Sequence, residues 1–259
     1  LAMLGIASNQ PPASFDLIIK GGRVVDGTGN PGFFADVAIR NGRVVAIGRN
    51  LGQAKKTLDA KGQIVAPGFI DVHTHAENVT DLPNAENYIR MGVTSIVVGN
   101  CGGSVRDVAE FYRKVDGKTK VNVTTLVGHN TVREAAMGGS FDRKPTPAEL
   151  TKMQQMVERG MKDGACGLST GLIYLPGTFA KTDEIVSLAK VAGQYDGIYA
   201  THMRNESDEV LKALDEAFTV AKGANVRCEV SHLKLGKAGW GQTDQVLEAL
   251  ANARSQGLD

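Results

Sequence analysis

The sequence predicts an α/β protein, a partial (β/α)8 barrel of the TIM type that follows a small antiparallel β-module. From residue 63 onward, short apolar runs alternate with segments of helical periodicity, which is typical of parallel strands joined by helices. The ends of six predicted strands recur about every 30 residues, which favours a barrel. Before residue 63, alternating strands are separated by Gly- and Asn-containing turns. We therefore expect a flexible segment at 1–14, the β-module at 15–62 and the barrel at 63–259.

The β-module is predicted to contain four short strands, at residues 16–20, 23–26, 36–40 and 43–48. Asn41-Gly42 lies between the last two strands, and an Asn-Gly pair favours the turn of a tight hairpin. Gly21-Gly22 predicts a turn between the first two strands. This pattern indicates an antiparallel sheet.

The six barrel strands are predicted at residues 64–72, 94–99, 121–127, 165–170, 197–201 and 226–231. Thr146-Pro147-Ala148-Glu149 is a capping box with proline at the first helical position, so a helix should begin there. Ser207 and Thr243 are the predicted N-caps of two further helices. The helix that begins at the capping box has an apolar stripe that should face the core. This stripe consists of Leu150, Met153, Val157 and Met161.

Composition excludes several classes of function. Lys and Arg number 29 against 28 for Asp and Glu, and no basic run suggests a nucleic-acid partner. No apolar stretch approaches the roughly 20 residues of a membrane helix, so no membrane partner is expected. The three cysteines do not suggest a disulfide framework. We expect a cytoplasmic protein, or a secreted or periplasmic one if the apolar residues 1–8 are the remnant of a signal peptide.

The first barrel strand ends in His73-Thr74-His75. Residues two apart in a strand point to the same face, so the two imidazoles form a pair of potential metal ligands. The chain has five histidines, and the other three, His129, His202 and His232, each close a short apolar or β-branched run. In a barrel these strand ends converge on one cavity. A hydrogen-bonded structural histidine remains the alternative for any one of them, and for His129 we leave both interpretations open.

Cys101 ends the second predicted strand, where its thiol would face the same cavity as the histidines. A metal would deprotonate this thiol and convert it into an anionic ligand. Cys166 and Cys228 lie earlier in their strands and are expected to be core residues.

A doubly wound open sheet is the competing architecture. No Gly-rich phosphate loop joins the first strand to a helix, so a dinucleotide-binding fold is poorly supported. The repeat spacing places a seventh and an eighth strand beyond Asp259. We therefore expect this chain to be a fragment whose remaining strands come from the rest of a parent chain or from another polypeptide.

These residues resemble the amidohydrolase superfamily and, more narrowly, the N-acyl-D-amino-acid deacylases, or D-aminoacylases. The resemblance covers nearly the whole chain. It rests on the β-module, on the segment from Ala66 to His75, and on further strand-end segments: Gly99-Asn100-Cys101-Gly102, Gly128-His129-Asn130, residues 168–174, Thr201-His202-Met203-Arg204 and Ser231-His232-Leu233-Lys234. Hydantoinases and dihydroorotases of this superfamily generally bridge two metals with a carboxylated Lys after the fourth strand. Residues 168–174 contain no Lys, and the resemblance gives that role to Cys101.

The resemblance implies a tight zinc site formed by Cys101, His202 and His232 and a weaker or optional second metal position at His73 and His75. It also implies that Lys234 holds the carboxylate of a small N-acyl amino acid and that Tyr174 contacts the substrate; a solvated Lys and ordinary loop packing are the alternatives. The family's general acid/base is an Asp at the end of the eighth strand, which we expect to lie beyond Asp259, so the catalytic residue is unknown.

The resemblance implies zinc-dependent hydrolysis of N-acyl-D-amino acids to a carboxylate and a free D-amino acid. Two alternatives stay open. One is an amidohydrolase acting on cyclic amides or peptide-like substrates, because a ligand set fixes hydrolytic chemistry better than it fixes the substrate. The other is a non-catalytic, truncated amidohydrolase-like module.

Overall fold

Residues 14–82, 84–139 and 141–259 are described by the computed structural model, and the chain divides into two units, Leu1–Gly68 and Phe69–Asp259. The predicted flexible segment at 1–14 lies outside the described residues except for Ser14. The apolar residues 1–8 also lie outside them.

The first unit is built around one long strand, β1, at Phe15–Val24. It pairs antiparallel with β2 (Phe33–Arg40), and β2 pairs antiparallel with β3 (Arg43–Gly48). The predicted Asn41-Gly42 hairpin is confirmed, with both residues in the left-handed region that such a turn requires. Two further strands, β4 (Ala54–Asp59) and β5 (Ile64–Val65), pair parallel with β1. The sequence did not predict β4.

The prediction of a turn at Gly21-Gly22 is wrong. Both glycines lie inside β1, and the pairing with β2 shifts its register between Ile19 and Gly22. Gly21 has a φ of 72°, so the chain makes a bulge there and continues in the same strand. The Gly21 N–H donates to the Asp36 carboxylate at 2.9 Å.

The second unit consists of parallel strands joined by helices, as predicted. One sheet has the order β6-β7-β8, formed by Phe69–Asp71, Val93–Val98 and Asn122–Thr125. The other has the order β12-β11-β10-β9, formed by Cys228–Val230, Ile198–His202, Gly167–Gly171 and Val127–Gly128. The third predicted strand is therefore divided at Leu126, whose N–H donates to the Val98 carbonyl.

The helices of this unit are α1 to α7, at Glu86–Arg90, Val108–Val115, His129–Met137, Pro147–Lys162, Thr182–Gly193, Val210–Ala224 and Thr243–Ser255. The capping box of Thr146 and Glu149 is confirmed at the start of α4. The predicted N-cap Ser207 is wrong, because the Asn205 side chain accepts hydrogen bonds from the Ser207 and Glu209 N–H groups and α6 begins only at Val210. Thr243 is the first residue of α7 rather than its N-cap.

The main hydrophobic core lies between the strands and the helices of this unit. Met153, Val157 and Met161 of α4 are buried there, as predicted, and Leu150 packs against the same cluster. In the part of the chain that the structure describes, no helix is both long and apolar enough to cross a membrane.

The predicted buried strand at 64–72 is wrong as a single element. Its first part, β5, pairs with β1 in the first unit, whereas its last part is β6 in the second. Phe69 and Ile70 are 63% and 65% exposed, and among the described residues β6 pairs with β7 alone. The strand β12 likewise has one partner there, so the described parallel strands do not close into a ring.

Candidate metal centre

Four potential metal-binding side chains lie close to the ends of parallel strands. His202 is the last residue of β11, and His73 and His232 lie two residues beyond β6 and β12. Cys101 lies three residues beyond β7. The carboxyl ends of the strands in a (β/α) sheet lie at one face, so strands far apart in sequence bring these four side chains together.

The sulfur of Cys101 lies at the centre of this group. It is 3.5 Å from His73 Nε2, 3.6 Å from His202 Nδ1 and 3.8 Å from His232 Nε2. In a tetrahedral site with a Zn–S distance of about 2.3 Å and Zn–N distances of about 2.0–2.1 Å, sulfur and nitrogen are about 3.6 Å apart. The spacing of these donors therefore fits a zinc ion.

The donors form two overlapping groups. One contains Cys101, His202 and His232, and the other contains Cys101, His73 and His75; within each group the donor atoms lie within 4.8 Å of one another. Cys101 belongs to both. A thiolate at this position would be shared by two cations if both groups were filled.

The backbone around Cys101 is held in an unusual conformation. Cys101 has a φ of 54°, in the left-handed region that residues with a Cβ atom rarely adopt. The N–H of Gly99 donates to the Glu77 carboxylate at 2.8 Å, and the buried Asn100 side chain donates to the Val97 carbonyl at 3.0 Å. A Cβ atom on Gly102 would lie 2.7 Å from the Gly171 nitrogen, so this position requires glycine. These contacts direct the thiol toward the histidines.

Burial shifts the pKa of three of the donors. It lowers the pKa of His73 and of His202, which favours the neutral imidazole that binds metals. It also raises the pKa of the Cys101 thiol to about 11, and the charges of Glu206 and Glu229 act in the same direction. A divalent cation next to the sulfur would stabilise the thiolate instead.

Lys234 lies beside this group, where the sequence predicts a substrate-binding residue. Its Nζ is 3.2 Å from His232 Nδ1 and 2.6 Å from Glu206 Oε2. Its side chain is 57% exposed, so the ammonium group is accessible to a ligand from solvent. The sequence did not identify Glu206, because no periodic pattern or motif marks this residue in the loop between β11 and α6.

Tyr174 lies in the segment that follows β10, with its ring centroid 4.7 Å from that of His202. Arg204 anchors this segment, because its guanidinium donates to the carbonyls of Thr178 and Ala180 at 2.9 Å and 3.0 Å. The same guanidinium is paired with Glu216. Tyr174 is therefore held at the edge of the donor group.

His129 lies outside both donor groups. It opens α3, is fully buried, and its Nε2 is 2.9 Å from Glu184 Oε1. Of the two interpretations left open for it, the structure supports the structural one. Cys166 and Cys228 also lie outside the donor groups: the Cys166 thiol donates to the Thr125 carbonyl, and Cys228 packs against the main core.

Comparison with known proteins identifies the family. Residues 56–256, which make up most of the chain, match the amidohydrolase family. The chain belongs to the amidohydrolase family. Two relatives from Alcaligenes xylosoxydans xylosoxydans are a D-aminoacylase, 35% identical over 93% of this chain, and an N-acyl-D-glutamate deacylase, 37% identical over 94%. The chain spans 55% of the length of each of these relatives.

A solved structure of a deacylase has the same fold. The N-acyl-D-glutamate deacylase of Bordetella bronchiseptica superposes with a TM-score of 0.89 at 36% identity, over 95% of this chain and 57% of that one. That protein was crystallised with zinc and a phosphonate inhibitor that mimics the tetrahedral intermediate of its reaction. The partial TIM-type barrel predicted from the sequence is confirmed by this similarity.

Proposed function

We propose that this amidohydrolase hydrolyses the amide bond of N-acyl-D-amino acids, with zinc, to give a carboxylate and a free D-amino acid. The observation that carries the proposal is the spacing of Cys101, His202 and His232 around one point, with an accessible lysine beside them. The similarity to deacylases over more than nine-tenths of the chain supports the choice of substrate class.

The proposed metal ligands follow from the two donor groups. Cys101, His202 and His232 would hold the tight zinc ion, and His73 and His75 would bind a weaker second one that shares Cys101. These residues would hold a zinc ion that supplies a bound water with a pKa lowered to about 7 and a Lewis acid for an amide carbonyl. The half-buried His73 and the buried His202 are suited to bind a metal because burial favours their neutral form.

The substrate contacts are assigned to the chain's own residues. The ammonium group of Lys234 would pair with the α-carboxylate, a charge-assisted hydrogen bond that places the acyl amide next to the metal donors. Tyr174 would contact the substrate from the segment that Arg204 anchors. We further propose that the β-module and the metal-binding barrel region are separate domains. Because β5 pairs with β1, the boundary expected between residues 62 and 63 moves to the end of the first unit, at Gly68.

The stereochemistry of hydrolysis tests this proposal. The protein, at its full natural length where that extends beyond this chain, is loaded with zinc and assayed on the N-acetyl derivatives of D- and L-methionine, glutamate and aspartate. We expect release of the D-amino acid from at least one D-substrate, loss of activity with a chelator, and recovery on adding zinc.

Hydrolysis of the L-series alone, or of cyclic amides alone, would contradict the substrate assignment. Activity that persists in a chelator-treated, zinc-free sample would contradict the metal assignment. A catalytically inactive full-length protein would support the alternative of a non-catalytic module.

A further inference from the structure

One carboxylate, Glu206, lies behind two of the proposed zinc ligands. We propose that Glu206 is a positioning residue that orients the imidazoles of His202 and His232 and holds Lys234 beside them. This inference rests on the proposed function, since it concerns the same site.

The orientation of the two rings carries the inference. His202 directs Nδ1 toward the Cys101 sulfur, and its other nitrogen, Nε2, lies 3.6 Å from Glu206 Oε2. His232 directs Nε2 toward the same sulfur, and its Nδ1 lies 2.9 Å from Glu206 Oε1. Each ring therefore lies between the sulfur and the carboxylate. A metal-binding histidine commonly donates its second ring N–H to such a carboxylate, which fixes the tautomer and the ring plane.

The burial of Glu206 supports a role beyond a surface ion pair. Its side chain is 12% exposed, whereas that of Lys234 is 57% exposed. Glu206 Oε1 lies 2.9 Å from His232 Nδ1, and this buried oxygen has no hydrogen bond within the described residues. Binding of a cation at Nε2 would keep the proton on Nδ1. That N–H is the donor that Oε1 lacks, and the Lys234 ammonium group, 3.2 Å from the same nitrogen, would then donate to Glu206 Oε2 and not to the ring.

Glu206 also fixes the segment that carries Lys234. Its Oε2 accepts from the Lys234 ammonium group at 2.6 Å, and its backbone carbonyl accepts from the Gly236 N–H at 2.6 Å. One residue thereby connects the loop after β11 with the loop after β12. The distance between the metal ligands and the proposed carboxylate-binding lysine is set by this connection.

Zinc affinity of the protein, at its full natural length where that extends beyond this chain, tests the inference. It is measured by competition with a chromophoric chelator and without substrate. We expect Glu206→Gln to weaken zinc binding by about 10- to 100-fold, the usual effect of removing such a carboxylate. The absorption spectrum of the cobalt-substituted variant should also change, because the imidazoles lose their fixed orientation. Glu209→Gln is the matched control, because Glu209 is 53% exposed and pairs with Lys212. The zinc affinity of this variant should stay within twofold of wild type.

Further variants separate the possible causes. Lys234→Met keeps Glu206 and both imidazoles, so its zinc affinity should stay within a few fold of wild type. An equal loss in Lys234→Met and Glu206→Gln would overturn the inference, because the ion pair alone would then explain the effect. If Glu206→Gln fails to fold, as judged by circular dichroism, Glu206→Asp replaces it and should bind zinc about tenfold more weakly, because its shorter side chain cannot reach both rings.

Cys101→Ala distinguishes failure of this inference from failure of the proposed function. If Cys101→Ala binds zinc like the wild type, the proposed metal centre is wrong. If Cys101→Ala loses zinc but Glu206→Gln and its cobalt spectrum match the wild type, only the positioning role of Glu206 is wrong.

Discussion

Cys101 combines a left-handed backbone with a thiol shared by both donor groups. A residue with a Cβ atom in this region is strained by roughly 1–2 kcal/mol, and it persists where the surrounding structure fixes it. Here Asn100, Glu77 and Gly102 supply that constraint. The strain lies at the residue that the proposed function needs most, which is where strained residues tend to cluster.

Lys234 is the residue through which the proposed recognition of the substrate carboxylate can be tested. Lys234→Met should raise KM for an N-acetyl-D-amino acid about tenfold, because one charge-assisted hydrogen bond is lost. The kcat should change much less, since the metal ligands remain. Steady-state kinetics of the zinc-loaded protein measures both.

Lys237→Met is the control for this prediction, since Lys237 is an exposed lysine three residues farther along the same loop. Its KM should match the wild type. Equal KM values for wild type and Lys234→Met would remove Lys234 from the substrate site.

At the residue scale, the sequence was informative where chemistry coincides with a strand end. His202 and His232 could be anticipated because each closes an apolar run. Glu206 could not, because an acidic residue in a loop carries no periodic signal. Its importance arises only when β11 and β12 are placed side by side.

Among the elements, α3 and α5 are joined by a buried ionic cluster. Arg133 is fully buried and contacts both carboxylate oxygens of Glu184, and His129 contacts the same carboxylate. The second guanidinium nitrogen of Arg133 donates to the carbonyls of Phe141 and Arg143. The cluster therefore fixes two helices and the loop that precedes α4.

Removing the carboxylate from this cluster should destabilise the fold. Glu184→Gln leaves the Arg133 charge buried without compensation, and we expect the free energy of unfolding to fall by about 3–5 kcal/mol. Denaturant titration measures the change. Glu158→Gln, in the exposed pair with Lys162, is the matched control and should have a much smaller effect.

The pH dependence provides a second readout for the same variant. Burial acts to raise the pKa of Glu184, but the hydrogen bonds from His129 and Arg133 outweigh it and hold the pKa below its usual value of 4.5. The stability that this carboxylate contributes is therefore present above pH 4.5 and is lost as the pH falls through the lower folded pKa. Acid should destabilise the wild type more steeply than Glu184→Gln. Identical acid profiles would contradict this account of the cluster.

Element positions were predictable where local signals agree. The capping box of α4 and the Asn-Gly hairpin both depend on a few adjacent residues, and both were correct. The run at 64–72 was misassigned because an apolar sequence does not reveal which sheet each part will join. Its first part pairs with β1 and its last part with β7. These pairings depend on contacts with residues far away in the sequence.

At the scale of the whole molecule, the central claim is that parallel strands far apart in sequence assemble a zinc site around one cysteine. Order along the chain and the roughly 30-residue repeat were enough to predict the partial barrel. The distances between Cys101 and the histidines were not accessible from sequence, because they depend on strand register and on the backbone at Cys101.

X-ray absorption at the zinc edge, on the protein loaded with one equivalent of zinc, shows whether Cys101 binds the metal. We expect one sulfur ligand at about 2.3 Å and nitrogen or oxygen ligands at about 2.0–2.1 Å. Cys101→Ala should lose the sulfur ligand, whereas Cys166→Ala, which removes a cysteine outside the donor groups, should keep it. A wild-type spectrum without sulfur, or a sulfur ligand that survives in Cys101→Ala, would contradict a zinc site around Cys101.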